Sequence, residues 1–232
     1  MQSSLNNPSF SRDPAEASAL ETGIKDLFAE YAQVRNIYQA AIQVMNVRLD
    51  TLGNEFIAKR LPSPIHSMCS RVKSPQSIIR KLRERNIPIS FNNAKKSLRD
   101  IAGVRIICCY VDDIYLLASL LKKQDDIQLI EEKDYIKNPK ANGYRSLHLV
   151  MEVPVYLTSG KVFIPVEVQI RTVAMDFWAS LEHSLHYKAQ SEIPGFIVDE
   201  LKNCADVIAS TDARMQAIHK AVNLLRDVTP QN

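Results

Sequence analysis

Apolar and polar side chains alternate along residues 162–171 (VFIPVEVQIR), and this alternation constrains the fold more than any other feature of the chain. Successive side chains of a β-strand point to opposite faces of its sheet. One face of this strand would therefore carry Val166, Val168 and Ile170, and the other Glu167, Gln169 and Arg171. The pattern predicts a sheet with one buried face and one polar face that lines a cleft.

Two further segments predict strands that join this sheet. Residues 101–111 (IAGVRIICCYV) are apolar except for Arg105, a pattern that is typical of a buried strand. Residues 147–153 (LHLVMEV) follow a loop that contains Asn-Gly. Residues 115–122 predict a short helix between them.

Helical patterns flank the strands. Residues 17–60 carry an apolar stripe at alternating steps of four and three residues, and Pro62 and Pro64 end it; the stripe is Leu27, Tyr31, Val34, Tyr38, Ala41 and Met45. Ser74 and Pro75 have the form of an N-cap followed by proline in the first turn of a helix. Residues 173–189 predict another helix, with Trp178, Leu181 and Leu185 in the core.

Residues 196–226 predict one or two more helices with a second stripe of the same rhythm, formed by Cys204, Ile208, Thr211, Met215, Ile218, Val222 and Leu225. The fold class is therefore α/β (α+β), a mixed β-sheet flanked by N- and C-terminal helices. We expect a disordered tail (1–14), an N-terminal helical segment (15–64), a sheet-containing core (65–190) and a C-terminal helical segment (191–232).

Composition narrows the class of protein. No apolar run approaches the ~20 residues that cross a bilayer, and the N-terminus lacks a basic and then apolar leader, so we expect a cytoplasmic protein without a membrane partner. The four cysteines show no CxxC spacing, as expected for thiols in a reduced compartment. A net charge of +3 does not suggest a general polyanion binder, so no obligatory nucleic acid is predicted.

Three clusters carry chemistry. In the first, Arg71 and Lys73 lead into a helix that presents Ser77 and Lys81, and cations at a helix N-terminus suit a triphosphate; the alternative is a solvated basic face. In the second, Asp100 stands at the mouth of a buried strand and Arg105 follows five residues on. Asp100 has the form of a Mg²⁺ ligand, unless it only pairs with Arg99.

The third cluster is the loop 134–148, which places lysine, asparagine, an aromatic ring, arginine and histidine around Asn-Gly. A plain hairpin turn needs only Asn-Gly, so the other groups suggest a site in which Tyr144 stacks on a base. Glu167 could complete a Mg²⁺ site with Asp100 or act as a general base, or it could be an arginine-paired glutamate on a solvated face.

Some motifs are missing from the sequence. It contains neither GxxxxGK[ST] nor GxGxxG, so an ATP-using enzyme of this composition must hold phosphates with side chains. No histidine is followed by aspartate, so the signature of a metal-dependent hydrolase is absent.

The segments SRVKSPQSIIRKL, RDIAGVRIIC, KDYIKNPKANGYRSLHL and VEVQIRTVAMDFWASLEHSLHYK together resemble the RelA/SpoT-type alarmone synthetases. The resemblance spans roughly residues 25–225, and the short chain resembles the small, synthesis-only members of the RelQ and RelP type. It implies a synthetase core of nucleotidyltransferase-like type, a homotetramer, and transfer of pyrophosphate from ATP to the 3′-hydroxyl of GTP or GDP, possibly also GMP, by Mg²⁺-dependent in-line attack on the β-phosphorus.

The resemblance also implies site residues. ATP would be bound by Arg71, Lys73, Ser77, Lys81 and Arg105, with the two arginines stacked on adenine. Asp100 and Glu167 would bind Mg²⁺, and Glu167 would also be the base. The guanosine nucleotide would meet Lys140, Asn142, Tyr144, Arg145, His148, Gln169 and Asp176; Tyr144 would stack on guanine and Asp176 would accept its N–H donors.

Two other functions stay open at this point. One is a toxic relative that pyrophosphorylates adenine nucleotides or tRNA, which would need a basic surface for RNA. The other is a non-catalytic nucleotide-binding regulator, which replacement of Asp100 or Glu167 would favour; both carboxylates are present.

Overall fold

The structure, a computed structural model, describes residues 14–188 and 194–228. The predicted disordered tail lies outside the described residues except for Pro14. The described chain contains six helices: α1 (Pro14–Ala58), α2 (Pro75–Glu84), α3 (Phe91–Ser97), α4 (Val111–Lys122), α5 (Val173–Lys188) and α6 (Gly195–Val228). It contains five strands: β1 (Ser67–Val72), β2 (Ala102–Cys108), β3 (Gln128–Asp134), β4 (Leu147–Leu157) and β5 (Gly160–Thr172).

The five strands form one mixed sheet in the order β1-β2-β5-β4-β3. Only the central pair β2 and β5 is parallel, and the other pairs are antiparallel. A mixed sheet with flanking helices confirms the predicted fold class. The strands predicted at 101–111, 147–153 and 162–171 are β2, β4 and β5, whereas β1, β3 and α3 were not predicted.

The chain divides into two compact units. One consists of the described residues up to Asn36 together with 73–98, and the other of residues 37–72 with the described residues from Arg99 onward. Both units are assembled from separate stretches of chain, whereas the predicted segments are continuous; that division stays a prediction.

In the first unit α2 and α3 begin as their sequences indicate. Ser74 caps α2 by accepting from the Ser77 amide at 3.3 Å, Pro75 follows in the first turn, and Ser90 caps α3 in the same way. The apolar side of α2, formed by Ile78, Ile79 and Leu82, is buried. Tyr31 of α1 meets Phe91 edge to face with ring centroids 6.3 Å apart, so the first half of the α1 stripe belongs to this core.

The second unit is built on the apolar face of the sheet. Val166, Val168 and Ile170 are fully buried, and their neighbours on β2 and β4 are buried with them. Helices α4 and α5 pack against β2 and β5. The prediction for α5 is wrong in part: Trp178 is buried, but Leu181 and Leu185 are 50% and 47% exposed. Apolar spacing marks a stripe but does not tell whether a neighbouring element covers it.

Helix α6 is one continuous helix, and its residues show two kinds of environment. Ala205, Asp212 and Gln216 are buried against the rest of the unit. Most of the predicted stripe is exposed; Met215, Ile218, Val222 and Leu225 are between 44% and 68% accessible. Within the described residues, no helix combines the length and apolar character that a membrane crossing requires.

Candidate active site

The register of the sheet brings five of the predicted site residues to its polar face. Glu167 on β5 lies beside Gly103 on β2, and the next residue along that face, Gln169, lies between Arg105 and His148. Directly paired residues of adjacent strands share a face. The alternation read from residues 162–171 therefore places Glu167, Arg105 and His148 together, although they are far apart in sequence.

Arg71 joins the same face from the edge strand. It pairs with Gly103, which in turn pairs with Glu167. Its side chain is exposed, and Gly103 leaves the space above the sheet between Arg71 and Glu167 free of a side chain. Arg71 and Arg105 thus rise from adjacent strands on one polar surface, where flat guanidinium groups suit stacking on a nucleobase.

Glu167 is held as a carboxylate by its neighbours. Nδ1 of His148 lies 3.3 Å from Oε1, and the amide of Gln169 donates to Oε2 at 2.8 Å. Burial favours the neutral acid and would raise the pKa of Glu167, but the contacts with His148 and Gln169 outweigh it, so the pKa is lowered. Glu167 is therefore ionised at neutral pH and able to accept a hydrogen bond from a substrate.

Asp100 lies near enough to Glu167 to act on its ionisation, since the charge of Asp100 opposes the lowering of that pKa. Two carboxylates that repel each other favour a cation between them. Mg²⁺ takes one or two carboxylates from a protein and completes its shell with water and substrate phosphates, so this donor set fits the ion. Among the described residues, no group of three or more His, Cys, Asp or Glu side chains forms a closed metal cage.

Tyr144 stands at the centre of the loop that precedes β4. Its hydroxyl lies 2.8 Å from Nε2 of His148 and accepts a hydrogen bond from Arg171. Nζ of Lys140 is 4.8 Å from the centroid of the Tyr144 ring and 4.9 Å from that of Tyr135. The ring is thus fixed at its hydroxyl end by two side chains of the polar face, and a cation lies over it.

The other predicted residues of this loop hold its shape. Asn142 accepts from the Tyr144 amide at 3.2 Å and donates to Glu182 at 3.0 Å. Arg145 donates to the carbonyls of Gly143 and Ala205 and pairs with Asp206 at 2.9 Å. The structure therefore directs Arg145 to α6 and not toward Glu167, and its predicted contact with the acceptor stays a prediction.

Asp176, in the first turn of α5, lies between two arginines. Its Oδ1 accepts from Nη1 of Arg171 at 3.2 Å and is 3.5 Å from Nη1 of Arg105. The predicted ATP-side arginine and the predicted guanine-side carboxylate are therefore in contact. Arg171 was not predicted as a site residue, although it lies on the same face of β5 as Glu167; period-two alternation was the signal that marked it.

The remaining predicted residues, Lys73, Ser77 and Lys81, belong to the first unit. Ser77 is in the first turn of α2, where its hydroxyl is 3.0 Å from that of Ser74, and Lys81 follows one turn later on the same side. Both lysines are half-buried. Ser77 in the first turn and Lys81 in the last turn thus lie along one face of the capped helix α2, and their contact with ATP stays a prediction.

Comparison with known proteins places this surface in context. A family described as "Region found in RelA / SpoT proteins" matches residues 70–192. The chain is 40% identical over 200 residues to the GTP pyrophosphokinase YwaC of Bacillus subtilis, covering 86% of this chain and 95% of that protein. It is 36% identical over 185 residues to the GTP pyrophosphokinase YjbM of the same organism, covering 80% and 86%.

Solved structures agree with these matches. The fold resembles the small alarmone synthetase 1 of Bacillus subtilis bound to its product pppGpp, with a TM-score of 0.77 and 34% identity over 84% of this chain and 99% of that one. It also resembles a GTP pyrophosphokinase family protein from Streptococcus pneumoniae, with a TM-score of 0.78 and 34% identity over 87% and 98%.

Proposed function

The chain belongs to the RelA/SpoT family, among its small alarmone synthetases, and on that premise we propose that it transfers pyrophosphate from ATP to the 3′-hydroxyl of GTP or GDP. It is a GTP pyrophosphokinase that synthesises (p)ppGpp and releases AMP. The observation that carries this proposal is the ionised Glu167, held by His148 and Gln169 on the face that also presents Arg105. A general base beside a nucleotide-binding arginine is what transfer to a hydroxyl requires.

The proposed arrangement assigns donor and acceptor to the two flanks of Glu167. Arg71 and Arg105 stack on adenine, and Lys73, Ser77 and Lys81 contact the phosphates. On the other flank Tyr144 stacks on guanine, with Lys140 and His148 near the acceptor nucleotide. The support is that Arg71 and Arg105 lie on the β1–β2 side of β5 and the loop of Tyr144 precedes β4 on its other side.

In the proposed reaction the 3′-oxygen of the acceptor attacks the β-phosphorus of ATP, the bond to the α-phosphate oxygen breaks, and AMP leaves. Glu167 accepts the proton of the 3′-hydroxyl, and Gln169 keeps the carboxylate oriented through its amide. Asp100 and Glu167 would hold Mg²⁺, which supplies charge neutralisation at the phosphates. The arginines of the donor flank add fixed positive charge where negative charge develops.

We also propose a homotetramer assembled on α6, in the cytoplasm where ATP and GTP are available. The exposed stripe of α6 supports assembly, because apolar residues at seam spacing would otherwise remain in water. The N-terminal stripe differs: Leu27, Tyr31, Tyr38, Ala41 and Met45 are buried. The N-terminal stripe is therefore core of the chain itself, and we place the assembly on the C-terminal stripe.

The test is incubation with ATP labelled in its β-phosphate and, in separate reactions, GTP, GDP, GMP, an adenine nucleotide or tRNA. Label in a guanosine nucleotide and release of AMP, both dependent on Mg²⁺ and abolished by Glu167→Gln, support the proposal. Label in tRNA or in adenine nucleotides would favour the toxic relative. Nucleotide binding without any transfer would favour the regulator. The same reactions rank GTP, GDP and GMP as acceptors.

A further inference from the structure

Arg171 is the buried cation of the site, and the chemistry proposed above does not use it. Its side chain is only 5% exposed, although it lies on the polar face of β5. The guanidinium donates to the Tyr144 hydroxyl, to Oε1 of Gln169 at 3.1 Å and to Oδ1 of Asp176 at 3.2 Å. Its Cζ is 5.0 Å from the centroid of the Tyr144 ring. One side chain thus contacts the loop before β4, strand β5 and the start of α5.

Stability alone does not account for an arginine in this place. Removing a guanidinium from water is costly, and an apolar side chain of similar volume often serves packing as well or better. The Nε–H of Arg171 is also buried and makes no hydrogen bond among the described residues, which adds to that cost. A buried guanidinium with one unsatisfied N–H group indicates that the arginine is needed to hold its neighbours in a fixed arrangement.

The groups that Arg171 holds are the two that would recognise the acceptor base. Tyr144 presents an aromatic face, and Asp176 presents a carboxylate edge. An ionised carboxylate has about four lone-pair sites on its two oxygens. Arg171 and Arg105 both approach Oδ1, and Asp176 is partly exposed, so lone pairs of the carboxylate remain for the N1–H and N2–H₂ donors of guanine.

We propose that Arg171 is a positioning residue that fixes Tyr144 and Asp176 relative to each other and so makes the acceptor site selective for guanine. The inference rests on the proposed function, because it assigns Tyr144 and Asp176 to the acceptor. The planar fork of Arg171 suits this task, since separate N–H groups hold the hydroxyl and the carboxylate at a set distance. The ligand that it selects is a purine nucleotide with hydrogen-bond donors at N1 and N2.

The experiment compares GTP with ITP, which lacks the 2-amino group, as acceptors for the wild type and Arg171→Met. We expect the wild type to prefer GTP in kcat/KM. In Arg171→Met the KM for GTP should rise by about tenfold, the effect of losing roughly one hydrogen bond, while the KM for ATP changes by less than about twofold. The GTP/ITP ratio should fall toward one. A structural defect would lower both rates and leave that ratio unchanged.

Arg48→Met is the matched control. Arg48 forms a partly buried ion pair with Asp126 in the same unit, outside the polar face of the sheet. Its loss should lower thermal stability without altering the GTP/ITP ratio. Arg171→Lys keeps the charge but replaces the fork with one ammonium, so it should restore the melting temperature more than the guanine preference.

If Arg171→Met does not fold, Tyr144→Phe decides the question, because it removes the hydroxyl that Arg171 holds and keeps the ring. It should raise the KM for GTP several-fold and leave the KM for ATP unchanged. An active wild type that uses GTP and ITP equally, or variants that keep the wild-type GTP/ITP ratio, would overturn the inference and leave the proposed function standing. A wild type that transfers no pyrophosphate would instead refute the proposed function.

Discussion

Gly143 is the position at which a single methyl group tests the packing of the loop before β4 on α6. Its φ of +89° lies in the left-handed region, which L side chains rarely adopt. A Cβ at this position would lie 2.6 Å from Cβ of Ala205 and 3.3 Å from Cα of Lys202. Gly143→Ala therefore combines a backbone penalty with a steric overlap against a helix.

The two penalties have separate magnitudes. A non-glycine residue in the left-handed region costs about 1–2 kcal/mol. An additional methyl group in a well-packed contact costs about 1–3 kcal/mol, because neighbouring atoms must move. Gly143→Ala should thus lower the free energy of unfolding by about 2–5 kcal/mol, a large part of the ~5–15 kcal/mol of a typical domain. Since Tyr144 follows directly, the KM for the guanosine acceptor should rise as well.

Urea denaturation at a fixed protein concentration measures the loss, because the proposed tetramer would make stability depend on concentration. Gly160→Ala is the control: its φ is +119°, but no heavy atom lies within 4 Å of the added Cβ, so only the backbone penalty applies. In an Ala205→Gly background the overlap with Ala205 disappears, and Gly143→Ala should cost about 1–3 kcal/mol less. No recovery in that background would refute the close contact between the loop and α6.

Four further predictions concern chemistry, assembly and pH. Glu167→Gln should raise the activation free energy by several kcal/mol and so lower kcat, whereas the melting temperature should stay close to that of the wild type. Steady-state rates and calorimetry measure these two quantities. Tyr144→Ala should remove stacking worth about 1–3 kcal/mol and so raise the KM for the guanosine acceptor, whereas Arg105→Ala should raise the KM for ATP. Initial-rate kinetics with the opposite pattern would contradict the assignment of donor and acceptor to the two flanks of Glu167. Met215→Asp should shift the light-scattering mass from about four chains toward smaller species, because an unpaired charge in a seam is costly; a wild type of one chain would refute the assembly. Burial raises the pKa of Asp212, so the charged carboxylate lowers the stability of the fold at neutral pH, and this cost disappears as pH falls through the raised pKa. Asp212→Asn should therefore be more stable than the wild type at pH 7 but not at acid pH. Urea titrations at the two pH values measure the difference.

The interior of the sheet could be predicted from the sequence because period-two alternation is a local property. The strands β2, β4 and β5 have at least one apolar face, and their burial follows from it. The edge strands do not carry this signal: β1 (SMCSRV) and β3 (QLIEEKD) are polar and largely exposed. They are strands because β2 and β4 offer unpaired backbone groups, and that pairing is a tertiary effect.

In the candidate site, too, the part that depends on local alternation could be predicted and the part that depends on tertiary contacts could not. Glu167 and Gln169 share a face by alternation, and sheet register, which the sequence does not show, then adds Arg105 and His148. Arg171 was missed as a site residue because its role depends on two distant groups. The start of α5 brings Asp176 to it, and the loop before β4 brings Tyr144. Period-two alternation placed Arg171 on the polar face, but its burial became visible only in the structure.

The contacts of α6 determine how far the chain can be shortened, or where it can be fused to another protein, without loss of its fold. The family match ends at residue 192, before α6 begins. Yet Ala205 closes over Gly143, Asp212 accepts from Thr172 at the start of α5, and Gln216 accepts from the first turn of α4. A fusion partner or a shortened chain that ends at the family boundary would leave these three elements without their support. A functional truncation should therefore extend at least to Gln216, because α6 packs on the sheet-containing unit and supports it.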